Sequence, residues 1–343
     1  MGLVIRELDT RSELAWDAYV STNPQGTFFH RAGWRSVIEQ AFGHRTYYAL
    51  AEQDGVITGL LPLVHIKSLL FGSKLVSVPF CVYGGPLATD PEISNALSKH
   101  SIELMRKVGA KLVEFRMREP GLEGWKTRSD LYATFRKSIS ADAQENLKAI
   151  PRKQRAVVRK AVENGLESLI DQNTEHFHRL YAESVRNLGT PVFSRRYLRL
   201  LLHQFEDCSE ILTVLDNGKP LAAVLSFFFR DEVLPYYAGG TLGARQAGAN
   251  DFMYWSLMKR AADRGARLFD FGRSKFGTGS FAFKKNWGFE PQPLYYQYAL
   301  RSGEIIPDQN PLNPKYRLMI EVWKHLPLPI ANLIGPFVVR GIG

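Results

Sequence analysis

A lysine pair, Lys284 and Lys285, follows Phe281-Ala282-Phe283 and precedes Asn286-Trp287-Gly288, shortly downstream of Leu268-Phe269-Asp270-Phe271-Gly272. An apolar strand, a tight Gly-bearing turn and adjacent cations together set a positive charge beside a buried reaction centre, which points to acyl transfer. Read as a strand, the segment alternates: Phe281, Phe283 and Lys285 share one face, and Ala282, Lys284 and Asn286 the other, so the two lysines have different roles. Asp270 at a strand end is either a hydrogen-bond acceptor or a perturbed base.

Other clusters carry weaker chemistry. Lys148, Arg152, Arg155 and Arg159 recur at spacings of 4, 3 and 4 on a helical stripe opposite Ile150, Val157 and Ala161. Pro151 is suited to start a new helix there, which would detach Lys148 and leave the arginines aligned. The stripe is either a solvated face or a phosphate-reading fork of guanidinium groups. Arg245-Gln-Ala-Gly-Ala-Asn250 is a glycine-bearing turn before a helix, whose free N–H groups could hold an anion or simply close a loop. Tyr236, Tyr237, Tyr254 and Trp255 are core aromatics or walls of a substrate cage. His176-Phe-His178 lacks a third ligand, so no metal site is expected, and the sequence has no G-x-S-x-G elbow, phosphate loop or H-E-x-x-H.

Strands are expected at 3–8, 47–52, 56–65, 111–117, 210–216, 220–230, 233–238 and 268–271, with a hairpin-like region across 74–78 and 83–87. Helices are expected at 93–108, 174–188, 195–205 and 249–264. Interleaved strands and helices argue for α/β layers. The series helix, hairpin, strand, helix, strand occurs in both halves, so two related domains are predicted: 1–140, 141–310, and a tail, 311–343. The chain of 343 residues is 45% hydrophobic, enough for two cores. Its two cysteines suggest neither a disulfide framework nor zinc, and its apolar runs fall short of the roughly 18 residues of a membrane span. No export signal is read at the N-terminus, so a cytoplasmic location is expected. The net charge of +10 implies an acidic partner.

Five segments in this order resemble the FemAB family of aminoacyl and acyl transferases, specifically the branch that accompanies exosortase and PEP-CTERM exopolysaccharide loci. They are Gly26-Thr-Phe-Phe-His30 with Trp34, Leu147 to Gly165 with its Pro-Arg-Lys-x-Arg core, Tyr236-Tyr-Ala-Gly-Gly240, Phe269-Asp-Phe-Gly272, and Gly279-x-x-x-Phe-Lys284-x-x-Trp-Gly288. The resemblance covers nearly the whole chain and implies two tandem GNAT-like domains of mixed sheets flanked by helices. It implies that Lys284 stabilises the acyl carbonyl oxygen as an amine attacks, an electrostatic effect worth about 2.7 to 4 kcal/mol for one lost donor in a known case. The family's basic helix corresponds to Arg152, Arg155 and Arg159. Arg245-x-x-Gly248-x-Asn250 departs from the GNAT form [QR]-x-x-G-x-[GA] at its last position, and the long helical hairpin of some members is missing.

The expected function is transfer of an activated acyl or aminoacyl group to an amine of a cell-envelope or exopolysaccharide precursor, with Lys284 and Asp270 catalytic. Trp34, Arg152, Arg155, Arg159, Tyr237, Arg245, Trp255, Arg273 and Phe283 are the expected substrate-binding residues. No tightly bound cofactor is expected; acyl-CoA or aminoacyl-tRNA would be the co-substrate, and DNA is not an expected partner. The proline-interrupted apolar segment 323–340 is suited either to packing on the first domain or to lying at the inner membrane face. The rival reading is a non-catalytic basic module that holds RNA or an anionic glycolipid.

Overall fold

The computed structural model describes residues 2–68, 71–306 and 314–343, with the backbone alone for 314–317. Two compact units form: residues 1–132, 293–308 and 340–343 make the first, and 133–292 and 309–339 the second.

In the first unit, strands β1 (Val4–Glu7), β2 (Arg45–Gln53), β3 (Val56–Ser68), β4 (Gly72–Ser77), β5 (Leu87–Ala88), β6 (Leu112–Met117) and β7 (Lys126–Arg128) accompany helices α1 (Glu13–Thr22), α2 (Gly33–Phe42) and α3 (Pro91–Val108). The sheet runs β1-β2-β3-β4-β6, then the late strand Tyr295–Leu300, then β7. Its pairs are antiparallel except β4 with β6, which are parallel and joined through α3. The start and stop of α3 are written in its sequence: Asp90 accepts from the Ile93 N–H at 3.0 Å, Pro91 opens the first turn, and Gly109 ends it at φ 67°. Gly59 lets α3 settle on β3, since a Cβ there would stand 2.7 Å from Ile93 Cγ2.

The second unit contains β8 (Tyr132–Ser138), β9 (Glu167–Asp171), β10 (Ser209–Asp216), β11 (Lys219–Phe229), β12 (Glu232–Gly240), β13 (Leu268–Asp270), β14 (Ser274–Lys275) and β15 (Pro291–Pro293). Its helices are α4 (Ala143–Ala149), α5 (Arg152–Glu163), α6 (Thr174–Asn187), α7 (Arg195–Gln204), α8 (Leu242–Gln246), α9 (Ala249–Asp263) and α10 (Gly279–Asn286). The strand order is β14-β8-β13-β12-β11-β10-β9. Again three antiparallel strands lead through a helix, α9, to a parallel partner, β13. The core beneath α9 gathers Phe135, Val224, Val233, Met253, Leu257, Phe269, Phe271 and Trp287. The chain closes with β16 (Tyr295–Leu300), α11 (Pro314–Lys324) and α12 (Leu328–Ile342).

The fold is the expected mixed α/β class, two sheets flanked by helices, but two local expectations are corrected and two strands were not expected. Segment 83–87 is not the second arm of a hairpin: after β4 the chain turns through Val78 and Phe80, both at positive φ, and β4 pairs with β3 and β6. Residues 132–138, to which no element was assigned, form β8. Residues 295–300, to which no strand was assigned, pair with β6 and β7 in the first unit's sheet. Residues 279–286 are helix rather than strand. Thr278 supplies the N-cap, accepting from the Phe281 N–H at 3.4 Å, and Phe281, Lys284 and Trp287 then share a face at three-residue spacing.

Candidate active site at the diverging strands of the second unit

Strands β12 and β13 pair only at Glu232–Leu268 and Val233–Phe269. β13 ends at Asp270, while β12 continues to Gly240 with β11 as its partner, so the backbone edge of β12 beyond Val233 is not closed by β13. An extended ligand can pair with such an edge.

Lys284 projects from the last turn of α10 to the chain leaving β13. Its Nζ donates to the carbonyl oxygens of Phe271 (2.7 Å), Gly272 (3.0 Å) and Arg273 (3.1 Å). The rings of Phe135 and Phe271 lie 5.5 and 6.0 Å from the ammonium. Burial pulls this lysine down to about 7; Asp270 opposes that shift and Arg273 adds to it. The three carbonyls and two ring faces favour the charged form.

Asp270 is the counterpart beneath. One carboxyl oxygen accepts from the Gly272 N–H (2.8 Å) and the Thr134 hydroxyl (3.2 Å), and the other is 3.3 Å from Arg136 Nε, which also pairs with Glu232. Burial raises the carboxyl to about 7, opposed by the Gly272 N–H and by Lys284. With 1% of its surface exposed, Asp270 has both oxygens engaged by the Gly272 N–H, Thr134 and Arg136 beside Lys284. Thr134 and Arg136, which hold it, were missed because β8 went unrecognised; the only signal was the run Tyr132-Ala-Thr-Phe-Arg136.

Of the expected substrate-binding residues, Arg273 and Phe283 lie at this place. Arg273 belongs to the pinned loop, and Phe283 packs against Tyr254, Phe271 and Trp287. Tyr237 sits on β12 in a half-buried aromatic group, its hydroxyl 3.0 Å from that of Tyr197. Gly239 explains the glycines that follow: a Cβ there would stand 2.6 Å from the Leu180 carbonyl oxygen and the Tyr181 nitrogen, so α6 lies directly on β12.

Arg152, Arg155 and Arg159 lie on α5, which starts after Pro151 as a helix separate from α4. Arg155 donates to the Lys148 carbonyl at 2.7 Å, and Arg152 and Arg159 face solvent. Pro151 stands 3.1 Å from a Cβ on Gly288, which places the start of α5 beside the end of α10. Exposed Arg245 ends α8. The turn after it is capped by Gly248 at φ 70°, against which Val157 of α5 would meet a Cβ at 2.9 Å. Asp251 in the first turn of α9 accepts from Trp287 Nε1 at 2.9 Å.

Trp255 and Trp34 are both buried. Trp255 is buried in the second unit's core. Trp34 is fully buried in the first unit, donating to the Phe28 carbonyl at 3.1 Å.

The first unit has its own concavity, about 300 Å³, lined by His30, Tyr83, Arg118 and the start of α3. His30 is buried; its Nδ1 lies 2.8 Å from the Thr27 hydroxyl, and burial holds it at about 4, so it is neutral at pH 7. Among the described residues no group of three or more His, Cys, Asp or Glu side chains could hold a metal, and no helix is long and apolar enough to cross a membrane.

Residues 135–285 match the family described as acetyltransferase (GNAT) domain, the segment that contains β12, β13, α9 and all but the last residue of α10. No curated protein matches the chain. Similar solved structures include FemX, 16% identical with a TM-score of 0.68 over 92% of this chain and 100% of that one. A tandem GNAT protein from the clavulanic acid biosynthesis pathway is 13% identical, with a TM-score of 0.56 over 89% of this chain and all of that one. The C-terminal domain of a putative lysylphosphatidylglycerol synthetase from Agrobacterium fabrum is 13% identical, with a TM-score of 0.55 over 82% of this chain and 92% of that one. At these identities the likeness is one of fold, and the fold is that of tandem GNAT proteins.

Proposed function

We propose that the second unit transfers an activated acyl or aminoacyl group to an amine of a cell-envelope or exopolysaccharide precursor, with Lys284 as the catalytic residue. The observation that carries this reading is the open edge of β12 beside a loop fastened by a cation. A donor thioester or ester laid along β12 brings its carbonyl towards Phe271–Arg273 and Lys284. The amine nitrogen attacks the carbonyl carbon, and the C=O electron pair moves onto oxygen. Lys284 meets that oxyanion by exchanging its longest bond, to the Arg273 carbonyl, for the new and stronger acceptor. Collapse restores the carbonyl, expels the thiolate or hydroxyl oxygen of the donor, and leaves a protonated amide nitrogen whose proton goes to water. The chain's residues thereby supply charge and position rather than a covalent nucleophile.

GNAT domains use acyl-CoA, and the polyanionic part of such a donor, or of an aminoacyl-tRNA, suits the exposed guanidinium groups of Arg152 and Arg159. The glycine turn before α9 fits such an anion less well, being packed against Val157. Envelope precursors are made at a membrane, and a cytoplasmic chain peripheral to its inner face fits the net charge of +10. The test is intact-mass analysis of amine-bearing precursors incubated with acyl-CoA, acyl-carrier-protein and aminoacyl-tRNA donors. A donor-dependent mass gain on the amine is expected; its absence from all three donors, with salt-sensitive polyanion binding alone, would favour a binding module.

A further inference from the structure

A second concavity of the first unit, about 630 Å³, is lined by an unusual set of side chains. His44, Arg45, His65, Lys67, His100, Lys107 and Arg340 all contribute to its wall. The acid among the lining residues is Glu7, and the remaining cation there, Arg6, is already paired with Glu52 at 2.8 Å. Local packing explains part of the set. Lys107 complements the C-terminal end of α3, and Arg45 lies over the Tyr47 ring at 5.0 Å. Neither reason accounts for Lys67 on β3 and Arg340 on α12 facing the same space. Among the described residues no ion pair is formed by Arg45, Lys67, Lys107 or Arg340.

We propose that this cavity binds a phosphate-bearing anion, held by Arg45, Lys67, Lys107 and Arg340. Like charges gathered around one concavity repel each other unless a counter-charge sits between them, and arginine and lysine together suit phosphate oxygens. The histidines report the same field. His65, whose Nε2 is 2.8 Å from the Ser73 hydroxyl, is lowered to about 4 by burial, then by Lys67, His44 and Arg45. His44, 2.9 Å from the Arg340 carbonyl, is lowered by burial with Arg340 adding to it. His100 is lowered by burial and Lys107, with Glu103 and Glu7 opposing. Ile5, Ala49, Leu104 and Val108 supply an apolar wall for the organic part of such a ligand, and the volume suits a small molecule.

A lipid headgroup and a free phosphorylated metabolite share this chemistry, so the experiment has two arms. Inorganic pyrophosphate is titrated calorimetrically at pH 8 into the full chain, the double variant Arg45→Ala/Lys67→Ala, and Lys99→Ala, which changes an exposed cation outside the cavity. Saturable binding that weakens about tenfold or more in the double variant, and is unchanged in Lys99→Ala, is expected from the loss of two charge-assisted contacts. Absence of saturable binding, or equal weakening in both variants, would overturn the proposal. Should circular dichroism show the double variant unfolded, Lys107→Ala takes its place with the same direction of effect. In the second arm, the chain is sedimented with vesicles of phosphatidylglycerol and phosphatidylcholine. Release of vesicle-bound protein by pyrophosphate supports a headgroup ligand, and pyrophosphate binding without vesicle binding supports a soluble one. Vesicle and pyrophosphate binding that both persist in the double variant would contradict the site.

Discussion

The Nζ of Lys284 lies 2.7 Å from the carbonyl oxygen of Phe271, and the next two carbonyls, of Gly272 and Arg273, complete its three acceptors. One side chain thus fastens the segment at which β13 leaves β12. Removing it strands three acceptors in a half-buried place. Lys284→Met is expected to lower stability by about 1–3 kcal/mol, the usual cost of unsatisfied buried partners, measured by denaturant unfolding. An unchanged midpoint would mean that the loop does not depend on this contact.

Asp270 and Lys284 make stability depend on pH in opposite directions. Burial holds the Asp270 carboxyl at about 7 against an ordinary 3.8, so between those values the folded chain binds a proton that the unfolded chain releases. Stability from this group is complete below pH 4 and is lost as pH rises to about 7. Lys284, lowered to about 7 from 10.5, leaves the folded chain with fewer protons than the unfolded one between those values, and stability rises with pH there. Urea midpoints across pH should show Asp270→Asn abolishing the fall and Lys284→Met abolishing the rise. Curves parallel to that of the unmodified chain would contradict both assignments.

Gly239 is required by space rather than by φ. Gly239→Ala pushes a methyl into the backbone of α6 at Leu180 and Tyr181 and is expected to cost about 1–3 kcal/mol or more, as overpacking does. Gly243, inside α8 with its nearest neighbour 3.8 Å from an added Cβ, is the contrast. Gly243→Ala is expected to be neutral or to stabilise by up to about 1 kcal/mol through helix propensity. Thermal melts of the two variants check the difference.

Arg152 and Arg159 face solvent on α5. If they bind the anionic part of the donor in ground and transition states alike, Arg152→Ala/Arg159→Ala raises KM about tenfold or more with kcat unchanged. Raising ionic strength should narrow the gap between variant and unmodified chain. Equal KM values would leave α5 with a structural role.

Much of the architecture was legible because it rests on local signals. Gly109 marked the end of α3, Asn217-Gly218 marked the turn between β10 and β11, and Pro151 marked the break before α5. The pairing of β16 in the first unit was not legible, because a strand's partner depends on contacts far away in sequence. Residues 281–287 misled for a different reason: Phe281, Phe283 and Lys285 alternate as a strand does, yet Thr278 caps a helix. That error changed the site, since on a helix Lys284 shares a face with Phe281 and Trp287 and turns to the loop after β13. The placement of a cation at position 284 close to the end of the Leu268–Asp270 strand was legible; the burial of Asp270 was not, because Thr134 and Arg136 come from β8.

The decisive measurement is single-turnover acyl transfer by Lys284→Ala, with the donor and amine found by mass analysis, at a temperature where circular dichroism shows the variant folded. The rate is expected to fall about 10²- to 10³-fold, as for loss of one oxyanion donor, with donor affinity little changed. A rate within about threefold of the unmodified chain would contradict catalysis by Lys284 and leave it as the fastening of the Phe271–Arg273 loop.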